Sequence, residues 1–376
     1  MQLEENRTWQ KDLKNNVTSV DALMEMGFIE KKESEKLQEI TEKYPLSIPQ
    51  YYLNLIENKS YSDPIYKMCI ASIREGQLGG KEDTSGEASN TVMEGIQHKY
   101  DSTVLLLSTN VCAMYCRHCF RKRLVGQSEE EILKFADEAV EYVKNNKKAN
   151  NILITGGDSL LNSNKIIERY LSKFSEIKHV KFIRFGTRTP VVLPQRIYSD
   201  PELIEIFRKY SKKKTIYIVT QFNHPKELTK EAITATDMLR EAGVPILNQT
   251  VLLKGVNDNA DTLSSLIIKL VANGISPYYV FQCRPVKGVR DLFAVPLLKS
   301  SEIIDETRSR LSGVGKRFRF IMSHTKGKIE IIGKTDENIL VLKQHQAKDK
   351  SDINKIFTVK VDENSLWLSE DLSKGI

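Results

Sequence analysis

Cysteine and tryptophan are scarce in this chain of 376 residues, with five and two respectively, and long apolar runs are absent. The strongest apolar stretch, Val104-Leu105-Leu106-Leu107, is four residues long, far short of the ~20 that cross a bilayer. The amino end, MQLEENRTWQKDLKNN, lacks the apolar centre of a signal peptide. A cytoplasmic protein is therefore expected, with no membrane partner. A low, odd cysteine count argues against a disulfide framework. Neither sign of charge dominates: 56 basic and 49 acidic residues leave a net +7. That balance does not call for nucleic acid, and Lys147-Lys148 and Lys212-Lys213-Lys214 read as solvated helix or loop ends. Hydrophobic residues at 40% and charged ones at 28% describe a folded chain with a large core, of about two domains or one with attachments.

The scarce cysteines are concentrated. Cys112, Cys116 and Cys119 lie within eight residues, in Cys112-Ala-Met-Tyr-Cys116-Arg-His-Cys119. Three soft thiolates on one loop suit zinc or an iron–sulfur cluster. Structural zinc needs a fourth protein ligand, and His118, trapped between Cys116 and Cys119, is poorly placed to bind the same ion. A [4Fe–4S] cluster on three cysteines leaves one iron open to a substrate or cofactor. The C-x3-C-x2-C spacing, with Tyr115 before the second cysteine, is the signature of radical S-adenosylmethionine (SAM) enzymes, in which SAM chelates that iron. A non-catalytic zinc-binding module is the alternative of another class.

From residue 101 onward, apolar β-branched runs alternate with amphipathic stretches. Strands are expected at Val104–Ser108, Ile152–Thr155, Val180–Phe185, Thr215–Gln221, Pro245–Leu253 and Ile275–Gln282. Helices are expected at Glu129–Asn145, Ser163–Glu176, Pro201–Lys212, Lys230–Ala242, Asp261–Asn273 and Ser301–Leu311, with Gly243 and Gly274 closing two of them. Six βα units predict an α/β fold, a partial (open) (β/α)6 TIM-type barrel. Chemistry then collects on the loops after the strands: the cysteine loop, Gly156-Gly157-Asp158, Gly186-Thr187-Arg188, Asn223-His224 and Cys283-Arg284 should share one rim. Residues 1–100 read as a mainly helical N-terminal extension, with helical character at Val20–Met26, Ser34–Ile40 and Ile65–Ile73 and a polar loop at Lys81–Gly95. The barrel is expected over 101–311. A strand-rich C-terminal lobe follows over 312–376, with strands at Phe318–Met322, Ile329–Ile332, Ile339–Leu342 and Ile356–Val361 and a turn or loop at Lys343–Asp352.

The segments His98-Lys99-Tyr100, Cys112–Arg123, Thr155–Leu161, Arg184–Ile197, Asn223-His224-Pro225, Gly243–Asp258 and Pro277–Cys283 are similar to lysine 2,3-aminomutases, radical SAM enzymes that also carry pyridoxal phosphate (PLP). The resemblance implies a [4Fe–4S] cluster on Cys112, Cys116 and Cys119, SAM as cofactor and a 5′-deoxyadenosyl radical that takes hydrogen from an amino-acid-type substrate. It implies SAM contacts from Gly156, Gly157, Asp158 and Gln249, with His118 near the adenine. Arg121 matches the arginine that grips the substrate carboxylate; Arg123 reads as a surface residue. An electron donor such as flavodoxin or ferredoxin is implied, and a homo-oligomer is compatible.

The departures from that family cluster around the substrate. Two carboxylates hold the distant ammonium of lysine in the aminomutases. Arg284 stands at the position of the first, and the segment of the second is Ile321 to Lys328 (IMSHTKGK), without Asp. Thr103 replaces an arginine associated with PLP. A substrate ammonium buried beside Arg284 would be repelled, so a substrate with an acidic end, or a protein-bound lysine, competes with free lysine. PLP needs a lysine amine. Lys328 is the first choice for this catalytic and cofactor-binding role, with Lys326 and Lys334 as neighbours.

Overall fold

The computed structural model describes residues 8–77, 79–126, 132–133, 136–335 and 338–372. Among the described residues, four helices of six or more residues come first: α1 (Thr8–Lys14), α2 (Val20–Glu25), α3 (Ser34–Lys43) and α4 (Pro64–Cys69). Strands β1 (Thr91–Met93), β2 (Ile96–Tyr100) and β3 (Thr103–Thr109) form an antiparallel meander. From β3 the chain alternates: α5 (Ala136–Asn145), β4 (Asn151–Gly156), α6 (Asn164–Ser175), β5 (Phe182–Gly186), α7 (Pro201–Ser211), β6 (Thr215–Thr220), α8 (Lys230–Glu241), β7 (Ile246–Leu252), α9 (Ala260–Ala272), β8 (Ser276–Gln282) and α10 (Leu297–Ser309). Strands β9 (Arg319–His324), β10 (Gly327–Lys334), β11 (Ile339–Ala347) and β12 (Ile356–Lys360) complete one twelve-stranded sheet whose spatial order is the chain order.

All six expected barrel strands are present, β3 to β8, and pair in parallel. The sheet does not close on itself, as an open barrel requires. The parallel series is one strand longer than read, because α10 returns the chain to β9, which pairs in parallel with β8. The expected tail strand Phe318–Met322 is thus the last barrel-type strand, and the antiparallel meander starts only at β10. Helix Glu129–Asn145 is seen from Ala136 onward; residues 129–131, 134 and 135 lie outside the described residues. Two loop assignments need correction. Within Lys81–Gly95, Asp83 accepts the backbone N–H groups of Ser85, Gly86 and Ala88, which nucleates a helical turn at Glu87–Asn90 before β1. Lys343–Asp352 starts as strand, because the alternation of buried Leu340, Leu342 and Gln344 carries β11 through its lysine.

Side-chain alternation sets the two faces of the barrel. On β5, Ile183 and Phe185 are buried, and Phe185 meets Phe207 of α7 edge-on at 5.5 Å. Phe182, Arg184 and Gly186 therefore face inward. Side-chain caps set several helix starts: Ser163 for α6, Asp200 followed by Pro201 for α7, Thr229 for α8 and Asn259 for α9. No helix among the described residues is long and apolar enough to cross a membrane.

The N-terminal segment clamps the cysteine loop. Arg117, 1% exposed, lies in that loop and donates Nε and Nη2 to Glu75 and Nη1 to the carbonyls of Tyr44 and Pro45. Lys122 Nζ meets the same Glu75 at 2.6 Å. Backbone bonds add to this: Tyr115 N–H to Ser47 O and Arg117 N–H to Met68 O, both 2.9 Å. Asn16 Nδ2 donates to Ala113 O at 2.7 Å. Glu75→Ala strips a buried arginine of its counter-charge and should cost about 3–5 kcal/mol, read as a lower urea midpoint. Glu82→Ala, which removes the exposed partner of Lys287, should leave the urea midpoint nearly unchanged. A Glu75→Ala protein as stable as the parent would contradict the clamp.

Candidate active site

The cysteine loop leaves β3 at the C-terminal edge of the sheet, where Gly156-Gly157-Asp158 from β4 and Thr187-Arg188 from β5 meet it. Gly156 has φ +119, and a Cβ there would stand 2.3 Å from Thr109 O; a Cβ on Gly157 would stand 2.3 Å from Val111 O. Gly157 N–H bonds to Thr109 O and Asp158 N–H to Val111 O, at 2.5 and 2.8 Å. The two glycines thus let one backbone lie directly on the other. The Asp158 carboxylate is held on the protein side: Oδ1 accepts Thr187 Oγ1–H and Leu160 N–H, and Oδ2 accepts Arg188 N–H at 2.7 Å. Burial pushes the Asp158 carboxyl up despite these bonds.

Cys112, Cys116 and Cys119 are partly buried free thiols. Burial, followed for Cys112 by Asp158 and the other two sulfurs, raises the Cys112 thiol well above its usual range; burial, then Cys116, pushes Cys119 up to about 11. Among the described residues no three His, Cys, Asp or Glu side chains gather in a single-ion array; a cubane instead takes each cysteine on a different iron. Cys116 Sγ accepts a hydrogen bond from Arg188 Nη1 at 2.8 Å. His118 is buried and held neutral, its pKa driven far down by burial and then by Arg188. Gln221 and Asn223 amides donate to its Nε2, both at 3.2 Å, which places the ring proton on Nδ1. That buried Nδ1 has no partner, and it fits a ligand that brings an acceptor. Gln249 is a half-buried residue of β7, on the face shared with Leu247 and Val251. The donor set of three thiols, a spare imidazole N–H and tightly packed glycine backbone fits a cluster with an organic ligand.

Deeper inside, the site is cationic. Arg121, buried, donates Nε to Glu87 Oε1 at 3.1 Å, and Arg123 Nη2 reaches Glu87 Oε2 at 3.2 Å. Arg123, read as a surface residue, is partly buried, its side chain 28% exposed beside Glu87. Arg284 lies with its guanidinium 4.0 Å from the Phe120 ring centre and donates to Ser85 Oγ at 2.9 Å. Lys328 on β10 lies with Nζ 4.8 Å from the Tyr279 ring centre. Burial, then Arg184, Arg284 and Lys99, push its ammonium down to about 7. Lys99 falls to about 8, through burial and then Arg284. Arg184 Nη2 donates to Asn151 Oδ1, which also accepts from Thr103, while Arg184 Nε is buried without a partner. A near-neutral amine among three cations fits an aldehyde cofactor bearing a phosphate. Of the other lysines, Lys326 is exposed and Lys334 is paired with Glu302 at 2.6 Å.

Sequence reasoning placed the rim loops correctly but gave Arg188 and Glu87 no role. Arg188 ends the Gly186-Thr187-Arg188 segment and puts a charge at a strand end, a signal that could have found it. Glu87 lay in a stretch read as a polar loop, and nothing local marked it as buried.

Residues 106–266 match the Radical SAM superfamily. The chain is 38% identical to the L-lysine 2,3-aminomutase of Clostridium subterminale, over 81% of this chain and 73% of that protein. It is 42% identical to the L-lysine 2,3-aminomutase of Methanococcus maripaludis, over 81% and 70%. The glutamate 2,3-aminomutase of Clostridioides difficile is 37% identical over 82% and 72%. A solved structure described as native anSMEcpe with bound AdoMet aligns with a TM-score of 0.37 at 15% identity, over 48% of this chain and 51% of that one.

Gly157→Ala must push Val111 and the cysteine loop outward. The variant should keep its circular dichroism spectrum yet take up severalfold less iron and sulfide on anaerobic reconstitution. Uptake equal to the parent would show that the loop tolerates the displacement.

Proposed function

Because the chain belongs to the L-lysine 2,3-aminomutase family of radical SAM enzymes, we propose that it shifts an amino group between adjacent carbons of a small amino acid with an acidic end. Family membership sets aside the zinc-module reading. The observation that carries the substrate choice is Arg284, which turns an inward-facing, cation-rich chamber toward anions instead of toward an ammonium. Cys112, Cys116 and Cys119 would hold the cluster, with Gly156, Gly157, Asp158, Gln249 and His118 around SAM and Lys328 holding PLP. When bound, the cluster and SAM supply a 5′-deoxyadenosyl radical for hydrogen abstraction, and PLP supplies the conjugated system that carries the migrating nitrogen.

The chain's own residues do the rest. Glu87 fixes Arg121 by its Nε, so the guanidinium is pre-oriented for the α-carboxylate of the substrate. Arg284, held over the Phe120 ring, takes the distal carboxylate. Phe120 lies between Cys119 and Arg121 in sequence, so the radical-generating loop and the substrate cations share one wall. Burial, and after it the cationic neighbours, bring Lys328 to about half neutral near pH 7, and the neutral amine is the form that can bond to an aldehyde. A low-potential flavodoxin or ferredoxin in the cytoplasm would deliver the electron.

The central test is 5′-deoxyadenosine formation with reductant, with and without PLP, across L-glutamate, L-aspartate and L-lysine. The acidic amino acids should drive turnover, and Arg284→Ala should erase that preference by about tenfold or more. A parent enzyme that responds best to lysine would refute the proposal. For Lys328, borohydride fixation of PLP followed by peptide mapping should label that residue, and labelling should rise with pH to half its maximum near 7. Free amine is the reactive form, so its fraction grows as pH climbs past the depressed pKa. Half-maximal labelling above pH 9, or label elsewhere, would reject the role.

A further inference from the structure

We infer that Arg188 is a positioning residue for the iron–sulfur cluster: it fixes Cys116 and, by donating to its sulfur, makes the cluster easier to reduce. The inference rests on Cys116 being a cluster ligand and is independent of PLP and of the substrate. Arg188 is 8% exposed, and Nη1 lies 2.8 Å from Cys116 Sγ. Its remaining donors are tied down. Nε bonds to Gln221 O at 3.1 Å, Nη2 to Glu227 Oε1 and to Tyr52 OH at 3.3 Å, and the backbone N–H to Asp158 Oδ2 at 2.7 Å. Glu227 is itself fully buried and accepts from Tyr52 OH and Asn223 N–H, each at 2.6 Å. The guanidinium is therefore locked by the loops after β3 and β6 and by Tyr52 of the N-terminal segment, and it cannot turn from the sulfur without breaking several buried bonds.

A sulfur that accepts a charged N–H gives less electron density to its iron. Hydrogen bonds to the sulfurs and local charge are the protein's levers on cluster potential. Glu227 neutralises the overall charge of the arginine, but it sits on Nη2 while Nη1 faces the sulfur, so the cluster meets the positive end of an oriented pair. The step affected is the gain of one electron by the oxidised cluster, [4Fe–4S]2+ to [4Fe–4S]+, with the electron taken from an added reductant such as titanium(III) citrate. Arg188 neither gains nor loses a proton in it.

The test uses the full chain, anaerobically reconstituted, as wild type, Arg188→Lys and Arg188→Gln. Iron and sulfide are counted first, and reduced cluster is then followed by electron paramagnetic resonance across a redox titration. At the wild-type midpoint, Arg188→Gln should show a ratio of reduced to oxidised cluster about tenfold lower, equivalent to about 59 mV for one electron, and Arg188→Lys should fall between. A fully loaded Arg188→Gln protein that titrates with the wild type overturns the inference. Should that variant fail to fold or load, wild type grown with 15N-arginine decides: a 15N coupling to the reduced cluster in pulsed spectra is expected, and its absence overturns the inference. Failure of the underlying ligand reading looks different, since Cys116→Ala would then keep a full complement of iron and sulfide.

Discussion

One buried carboxylate holds the cysteine loop in place. The described residues of the loop after β3 form no helix or strand, so no helix or strand ladder positions them. Glu75 supplies what is missing by binding Arg117, between the last two cysteines, and Lys122, just beyond them. Both charges of the loop are out of water, so the arrangement is an all-or-none one: the carboxylate and its two cations are stable together and costly apart. The barrel rim contributes the other wall through Gly156-Gly157 and Arg188. Three cysteines that are neighbours in sequence thus depend on groups contributed from residue 16 to residue 227.

The barrel itself was legible because its code is periodic. Ile152, Ile154, Ile183, Phe185, Ile216 and Ile218 all face the helices, and such strict alternation between apolar runs and amphipathic stretches has few other solutions. Cys112, Cys116 and Cys119 were legible because the chain has so few other cysteines. Arg123 and Glu87 were not, for a common reason. Each is a charged residue drawn inward, Glu87 fully and Arg123 partly, by a partner in a distant segment, and a charge in an aperiodic stretch looks solvated until its partner is placed. The seventh parallel strand was missed for a different reason. Phe318–Met322 has the apolar pattern of any strand, and only the crossover through α10 fixes its direction.

The interior of the barrel shows how a common scaffold can change its electrostatic sense. Arg284, Arg184, Lys99 and Lys328 face one another, with Glu87 the carboxylate that offsets Arg121 and Arg123 beside them. Mutual repulsion of such groups in a poorly hydrated space is unfavourable, and the protein answers it in part by lowering the proton affinity of the two lysines. The result is a cation-rich chamber, one of whose amines has its pKa brought down to about 7.

The location of Lys328 has a consequence for how this type of protein can diversify. The loop that carries the three thiols and the rim around it lie within the first strands of the barrel, whereas β10, with Lys328, belongs to the antiparallel addition after the last parallel strand, and Arg284 lies just past β8. Under the proposed function, radical initiation and selection of the substrate's distal end are thereby written in separate stretches of polypeptide, while Arg121, for the α-carboxylate, stays with the thiols. Drift in the later stretch can redirect the enzyme to a new metabolite while the oxygen-sensitive ignition chemistry upstream stays untouched.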